Sequence, residues 1–467
     1  MQGSGRRTVV GKVPVVMEGL YASVIPKIQY MRVTVISPEI HTYGAMLIGG
    51  VLRDAGYEVD LKTELAAREA TPVLLSLYST QHLISPAIRH FVAAHRAAGG
   101  AVYVGGPVSA APEIVLGELS PDAVCVGEGE ETVLRLLEEG PHEGISGCAW
   151  TDKGAMRFTG PAPPAPMHRP LPLIPPDIGS QDIRGASAYI ETHRGCIGAC
   201  TFCQVPRFFG RSVRSRDLGD VLAEVQAFKD AGAKRLSVSG GTGSLYCCSP
   251  DGAVNDEVFA ALLEGMAAIM GPKNISSPDI RVDCISDTVL DAIRDYTIGW
   301  VFFGLESGSN RVLRLMGKGV TAEVAARGVE ACREHGLKVA GSFIVGYPTE
   351  TEEEYEETRD FIAMNSLDDV FVSIAEPIPS TPLADLVLRT PREENPVYMP
   401  HTGEYSSLHL TEAEARSFDL QQHADLFKPG LHVVTDEVFS AYLAGVRKDG
   451  EDVRRVTELL FSYYGGR

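Results

Sequence analysis

Three cysteines stand within eight positions, in Cys196-Ile-Gly-Ala-Cys200-Thr-Phe-Cys203, just past a short run that reads as a strand. Thiolates are soft ligands, and three at this spacing can wrap three corners of a [4Fe-4S] cubane, leaving one iron open to bind a substrate or cofactor. Two plainer readings of the same residues are a zinc site completed by a donor such as His193, and three unrelated buried thiols. The other six of the nine cysteines show no such grouping. Cys125, Cys148, Cys284 and Cys332 lie singly among apolar neighbours, and the adjacent Cys247 and Cys248 cannot easily chelate one metal together.

Such a site needs a scaffold that delivers loops to one end. Residues 31–150 alternate strand and helix patterns, with strands expected at 32–36, 58–61, 73–77, 101–104 and 123–126 and helices near 44–55, 85–98 and 131–137. This order predicts a parallel sheet wound on both faces, with its ligand site at the carboxyl ends of the strands. Eight prolines between 160 and 176 then stop regular structure, so a linker is placed at 151–185. A second alternating series, residues 186–382, has strands expected at 188–192, 235–239, 280–283, 300–304, 338–344 and 369–374. Six βα units of this kind predict a partial (β/α)6 barrel with chemistry at its strand C-termini. Residues 1–30 form an N-terminal extension, and 383–467 read as a small mixed accessory domain. The fold class is α/β.

The chain has 467 residues, with 42 Lys and Arg against 61 Asp and Glu, a net charge of −19. That balance argues against nucleic acid as the main partner. Charged residues recur every few positions, so no membrane span is expected. With no secretory signal and few cysteines, a cytoplasmic location is expected.

The motif Arg194-Gly-Cys196-Ile-Gly-Ala-Cys200-Thr-Phe-Cys203 resembles that of the radical S-adenosylmethionine superfamily, as do three later stretches in the expected order. Gly240-Gly241-Thr242 resembles the segment that meets the methionine end of the cofactor. Glu306-Ser307, followed by Leu315-Met-Gly-Lys318-Gly, resembles the segment contacting its ribose, and Gly341-Ser-Phe-Ile-Val-Gly346-Tyr-Pro348 the adenine side. The resemblance spans about residues 188–374 and implies a [4Fe-4S] cluster on Cys196, Cys200 and Cys203, with S-adenosylmethionine bound beside it.

Residues 31–137 resemble cobalamin-binding domains. Ser76 and Ser79 follow the third strand, Gly105 and Gly106 the fourth, and Glu128 the fifth, at the places where that family holds the nucleotide tail. Glu39-x-His41-x-x-Gly44 is similar to the Asp-x-His-x-x-Gly of methyl-transferring corrinoid proteins, in which the His ligates cobalt. Here Glu replaces Asp, and His41 reads equally as a cobalt ligand or as a pocket or surface histidine.

Together the two resemblances imply a cobalamin-dependent radical S-adenosylmethionine methyltransferase acting on an unactivated sp3 carbon, with an external electron donor. Length, acidity and the Cys247-Cys248 segment are similar to enzymes that methylate a glutamine α-carbon in methyl-coenzyme M reductase, which implies a protein or peptide substrate. The alternatives are a cobalamin-associated radical enzyme that cyclises or rearranges a small molecule, and a corrinoid-binding module without methyl transfer.

Overall fold

The computed structural model describes residues 31–239, 241–276, 278–430 and 433–465. The N-terminal extension 1–30 and Gly240 lie outside the described residues.

Five parallel strands, β1 (Arg32–Ile36), β2 (Glu58–Lys62), β3 (Val73–Ser76), β4 (Val102–Gly105) and β5 (Ala123–Cys125), form a sheet in the order β2-β1-β3-β4-β5. β1, β3, β4 and β5 are nearly continuous apolar runs because helices cover both faces of the sheet. Two antiparallel strands, β6 (Cys148–Asp152) and β7 (Ala155–Phe158), extend the sheet past residue 150 into the segment expected to be linker. Lys153 (φ 49°) and Gly154 (φ 81°) both take the left-handed conformation at their turn, as a tight hairpin between twisted strands requires.

The proline-rich segment lies along the helix Tyr43–Asp54. Leu173 N–H donates to Met46 O (2.7 Å), and Arg53 donates to Leu171 O (2.6 Å). Gly50 permits this approach, since a Cβ there would stand 2.2 Å from Leu171 O.

The second sheet system contains all six expected strands. β8 (Ala188–Glu191) is followed by the two-residue strands β9 (His193–Arg194) and β10 (Arg214–Ser215), which pair with each other and pin the base of the cysteine loop. β11 (Leu236–Ser239) pairs with β8; β12 (Asp279–Ile280), β13 (Trp300–Glu306), β14 (Lys338–Val345) and β15 (Asp369–Ile374) form a parallel four-stranded sheet. Among the described residues, an isolated parallel bridge ties Leu236 of β11 to Ile275, in the segment that leads into β12.

Past residue 382 the regular elements among the described residues are helices rather than a mixed unit, and they do not stand apart. Helix Glu412–Phe427 packs on the barrel. The 29-residue helix Asp436–Tyr464 returns to the first domain, where Leu459 and Leu460 enter its core and the Tyr463 hydroxyl donates to Glu118 (2.9 Å). No helix among the described residues is long and apolar enough to cross a membrane.

Candidate functional site

The C-terminal ends of β1, β3, β4 and β5 open into a cavity of about 270 Å³. Its inner wall is apolar: Val35, Leu74, Val133 and Leu136, with the ring of Tyr103, from the first domain's core layer, and the buried Leu47. Its mouth carries Ser76, Tyr78, Gly105, Gly106 and the Gly127–Glu130 loop, and the barrel contributes Glu191, Arg194, Phe208 and Phe209. Gly106 (φ 89°) cannot be replaced without strain, because a Cβ would also stand 2.6 Å from Leu77 O.

Of the residues expected to meet cobalamin, Ser76, Gly105, Gly106 and Glu128 line the cavity, whereas Ser79 and His41 do not. The Ser79 hydroxyl accepts from Gln81 N–H (3.2 Å) and caps a short turn. His41 is held toward the linker: its N–H donates to Gln181 Oε1 (2.7 Å), its carbonyl accepts from Gln181 Nε2 (3.2 Å), and its Nε2 lies 3.6 Å from Asp177. Burial lowers its pKa. Glu39 accepts a hydrogen bond from the Tyr78 hydroxyl (3.0 Å) instead of serving His41. Tyr78, not His41, is thus the ring at the cavity mouth that Glu39 fixes.

Glu128 is bound into a buried ion-pair layer between the domains. Both Arg194 and Arg214 donate to its carboxylate, and Ala165 N–H donates to Oε2 (2.9 Å). Arg194, with 5% of its side chain exposed, also pairs with Glu130 (2.6 Å) and Glu191 (2.9 Å), and its guanidinium stacks 5.3 Å from the Phe209 ring. One cation two residues before Cys196 therefore holds the cavity loop of the first domain against the cysteine loop of the second.

Cys196 and Cys200 are buried and Cys203 is half-buried. Gly198 N–H donates to Cys196 Sγ (3.4 Å), and Arg281 Nη1 lies 3.9 Å from Cys200 Sγ. Burial raises the Cys200 thiol and pushes Cys203 up to about 11, so in the metal-free chain the proton stays on; a soft cationic centre would replace it. Among the described residues no three His, Cys, Asp or Glu side chains gather round one point as a single zinc ion requires. A cubane anchors each thiolate on a different iron, and the donor set, three thiols with two cations beside Cys200, suits that anionic group.

The second cation is Lys318. Its Nζ donates to Glu306 Oε1 (2.8 Å), its carbonyl accepts from Arg281 Nη2 (2.8 Å), and both side chains of the Lys318–Glu306 pair are 7% exposed. Glu306 sits at φ 70° at the end of β13, beside an irregularity in the β13–β14 pairing, with its second oxygen accepting from the Ser342 hydroxyl (3.4 Å). Gly241 (φ 87°) brings its backbone against Cys196, where a Cβ would lie 3.7 Å from the cysteine Cβ, and Thr242 is buried next to it. Ser307 and Gly346 are taken up by packing. The Ser307 hydroxyl bonds Thr358 (3.1 Å), and Gly346 faces helix Glu412–Phe427, where a Cβ would meet Ala413 at 2.6 Å.

Residues 190–362 match the family Radical SAM superfamily, and residues 31–137 match the family B12 binding domain. A protein of Methanocaldococcus jannaschii, provisionally named a methylthiotransferase, is 49% identical over 93% of this chain and 96% of its own length. The chain belongs to the radical SAM superfamily. A Pyrococcus horikoshii protein called an uncharacterized methyltransferase is 31% identical over 60% of this chain and 62% of its own length. Among solved structures, the radical S-adenosylmethionine methyltransferase TsrM from Kitasatospora setae, described with cobalamin and a [4Fe-4S] cluster bound, superposes with a TM-score of 0.64. It shares 16% identity over 92% of this chain and 99% of its own. The cobalamin-dependent S-adenosylmethionine radical enzyme OxsB gives 0.63 at 16% identity, covering 93% of this chain and 73% of its own. The two-domain fold of this radical SAM protein is therefore that of cobalamin-bound enzymes.

Sequence reasoning missed Arg194, Arg214 and Arg281 as parts of the site. Arg194 lies inside the cysteine motif and Lys318 inside the quoted glycine stretch, but their partners sit up to 66 residues away, beyond the reach of any local pattern.

Proposed function

We propose that this chain is a cobalamin-dependent radical S-adenosylmethionine methyltransferase that adds a methyl group to an unactivated sp3 carbon. The observation that carries the reading is the apolar cavity cut into the first domain's core, open at the strand ends and faced by the residues flanking the three cysteines. Glycines at the strand ends admit a bulky ligand, and the apolar wall behind them offers it contact area, as cofactor sites in parallel sheets do.

When bound, the cluster with S-adenosylmethionine supplies one-electron reductive cleavage to a carbon radical, and cobalamin supplies the methyl carrier, with the electron coming from an external donor. The chain's own residues position and insulate. Cys196, Cys200 and Cys203 hold the cluster, while Arg281 and Lys318 offset its negative charge on the Cys200 side. Gly241 brings its backbone beside Cys196, braced by the Thr242 hydroxyl that donates to its carbonyl (2.9 Å), and Glu306 keeps carboxylate capacity for a ribose. Ser76, Gly105 and Gly106 let a bulky tail pass into the cavity. Arg194, tied to Glu128 and Glu130 on one side and Glu191 on the other, fixes the spacing of the two halves.

The substrate class proposed is a protein or peptide, with a glutamine of methyl-coenzyme M reductase the narrowest candidate. A structure of TsrM carries tryptophan as substrate, so a small molecule is the competing class. Mass spectrometry after anaerobic reaction separates the possibilities. A gain of one methyl group is expected; a methylthio gain would support what the M. jannaschii relative's name suggests, and 5′-deoxyadenosine with an unmethylated, altered product would support cyclisation or rearrangement.

A further inference from the structure

The cavity's inner wall offers almost nothing for a polar ligand to bond. The strands behind it, β1, β3 and β4, are each paired on both sides, so their peptide groups are engaged in the sheet. The Tyr103 hydroxyl, the one strongly polar side-chain group among the inner-wall residues, donates to Leu136 O (3.2 Å). Cys125 stands nearer the β5 loop, where a Cβ on Gly129 would lie 3.0 Å from its Sγ. Burial pushes that thiol up to about 12, which keeps it neutral and a weak hydrogen bonder. The hydroxyls of Thr42 and Ser76 at the strand ends are 3.5 Å apart, and Thr42 also bonds Ser37 (2.9 Å); the inner residues that remain, Val35, Leu47, Leu74, Val133 and Leu136, are aliphatic.

Resting on the corrinoid reading above, we propose that this chamber selects its corrinoid by the polarity of the lower base: it accepts a benzimidazole or other apolar aromatic base and discriminates against a purine. Adenine would bring an exocyclic amine and ring nitrogens into a wall with no free partner. A buried polar group left unpaired costs its full desolvation, about one to two orders of magnitude in affinity for each group. A benzimidazole brings one unpaired ring nitrogen against adenine's amine and three ring nitrogens, and a phenolic ring brings none, so both lose less there and gain dispersion contacts with the apolar wall.

The test is equilibrium binding of three corrinoids to the full-length protein, followed by absorption spectroscopy: cobalamin, the cobamide with adenine as base, and the cobamide with a phenolic base. The phenolic form should bind no more weakly than cobalamin, and the adenine form at least about tenfold more weakly than cobalamin. Val133→Thr, which adds a hydroxyl at constant volume, should narrow the gap between cobalamin and the adenine form, with thermal melting confirming that the variant is folded. Equal affinity for all three overturns the selectivity and leaves the corrinoid reading standing. Failure of all three to bind a protein that melts cooperatively overturns that reading instead.

Discussion

His41 has the sequence spacing of a metal-binding histidine steadied by a carboxylate, yet in the fold Gln181 clamps its backbone, Asp177 faces its ring, and Glu39 serves Tyr78. His41→Ala should therefore leave the electron paramagnetic resonance spectrum of the bound Co(II) state unchanged, nitrogen superhyperfine splitting included. Splitting that vanishes in the variant would contradict the assignment. Glu306 joins two roles, pairing with the buried Lys318 while facing the mouth where a ribose is expected. Glu306→Ala should weaken S-adenosylmethionine binding by roughly one to two orders of magnitude in a titration. Because it also strands a buried ammonium, it should lower unfolding free energy by about 3–5 kcal/mol in denaturant melts. Unchanged affinity would mean that another group holds the ribose. At this scale the cysteine loop was legible because its spacing is local, while the roles of His41 and Glu128 were not, because partners from distant segments decide them.

Strands and helices were legible from periodicity, and every expected strand of both sheets has a counterpart in the fold. The β6–β7 hairpin escaped notice since its turn, Lys153-Gly154, lies next to a proline-rich stretch and its outer strand is exposed, so no apolar run marks it. The docking of helix Glu412–Phe427 also escaped, because its apolar contacts, Ala413, Leu420 and Ala424 in the barrel core, and its ion pairs are all made to distant segments. Arg416 Nη1 donates to Glu350 Oε2 (3.0 Å), and the same oxygen accepts from Gly346 N–H (3.0 Å), so this latch closes the helix on the end of β14. Burial pushes Glu350 from its usual 4.5 up to about 7 despite the opposing pull of Arg416. The folded chain then holds a proton that the unfolded chain has released between those values, and stability falls as pH rises through this window, by roughly 3 kcal/mol. Comparing denaturant midpoints at pH 5 and pH 7.5, the native protein should lose more stability than Glu350→Gln over this interval. Parallel losses would show that the carboxyl titrates normally.

At the scale of the whole molecule, the Arg194 ion-pair layer and the last helix, whose Leu459 and Leu460 complete the first domain's core, are among the contacts that join the domains. The sequence suggested separable units because linkers and periodicity are visible in it while the packing between units is not. Arg194→Met leaves Glu128, Glu130 and Glu191 short of a shared cation, so it should cost about 3–5 kcal/mol and weaken corrinoid binding together with cluster retention. Loss of one cofactor alone, measured by cobalt and iron content, would show that the layer does not couple them. The central claim is that one chain uses both halves together. Anaerobically reconstituted protein, loaded with cobalamin and given a one-electron reductant and S-adenosylmethionine with a trideuterated methyl group, should yield 5′-deoxyadenosine and cobalamin carrying the labelled methyl, with both products lost in Cys200→Ala. Protein that is full in iron and cobalamin yet forms neither product would contradict the account.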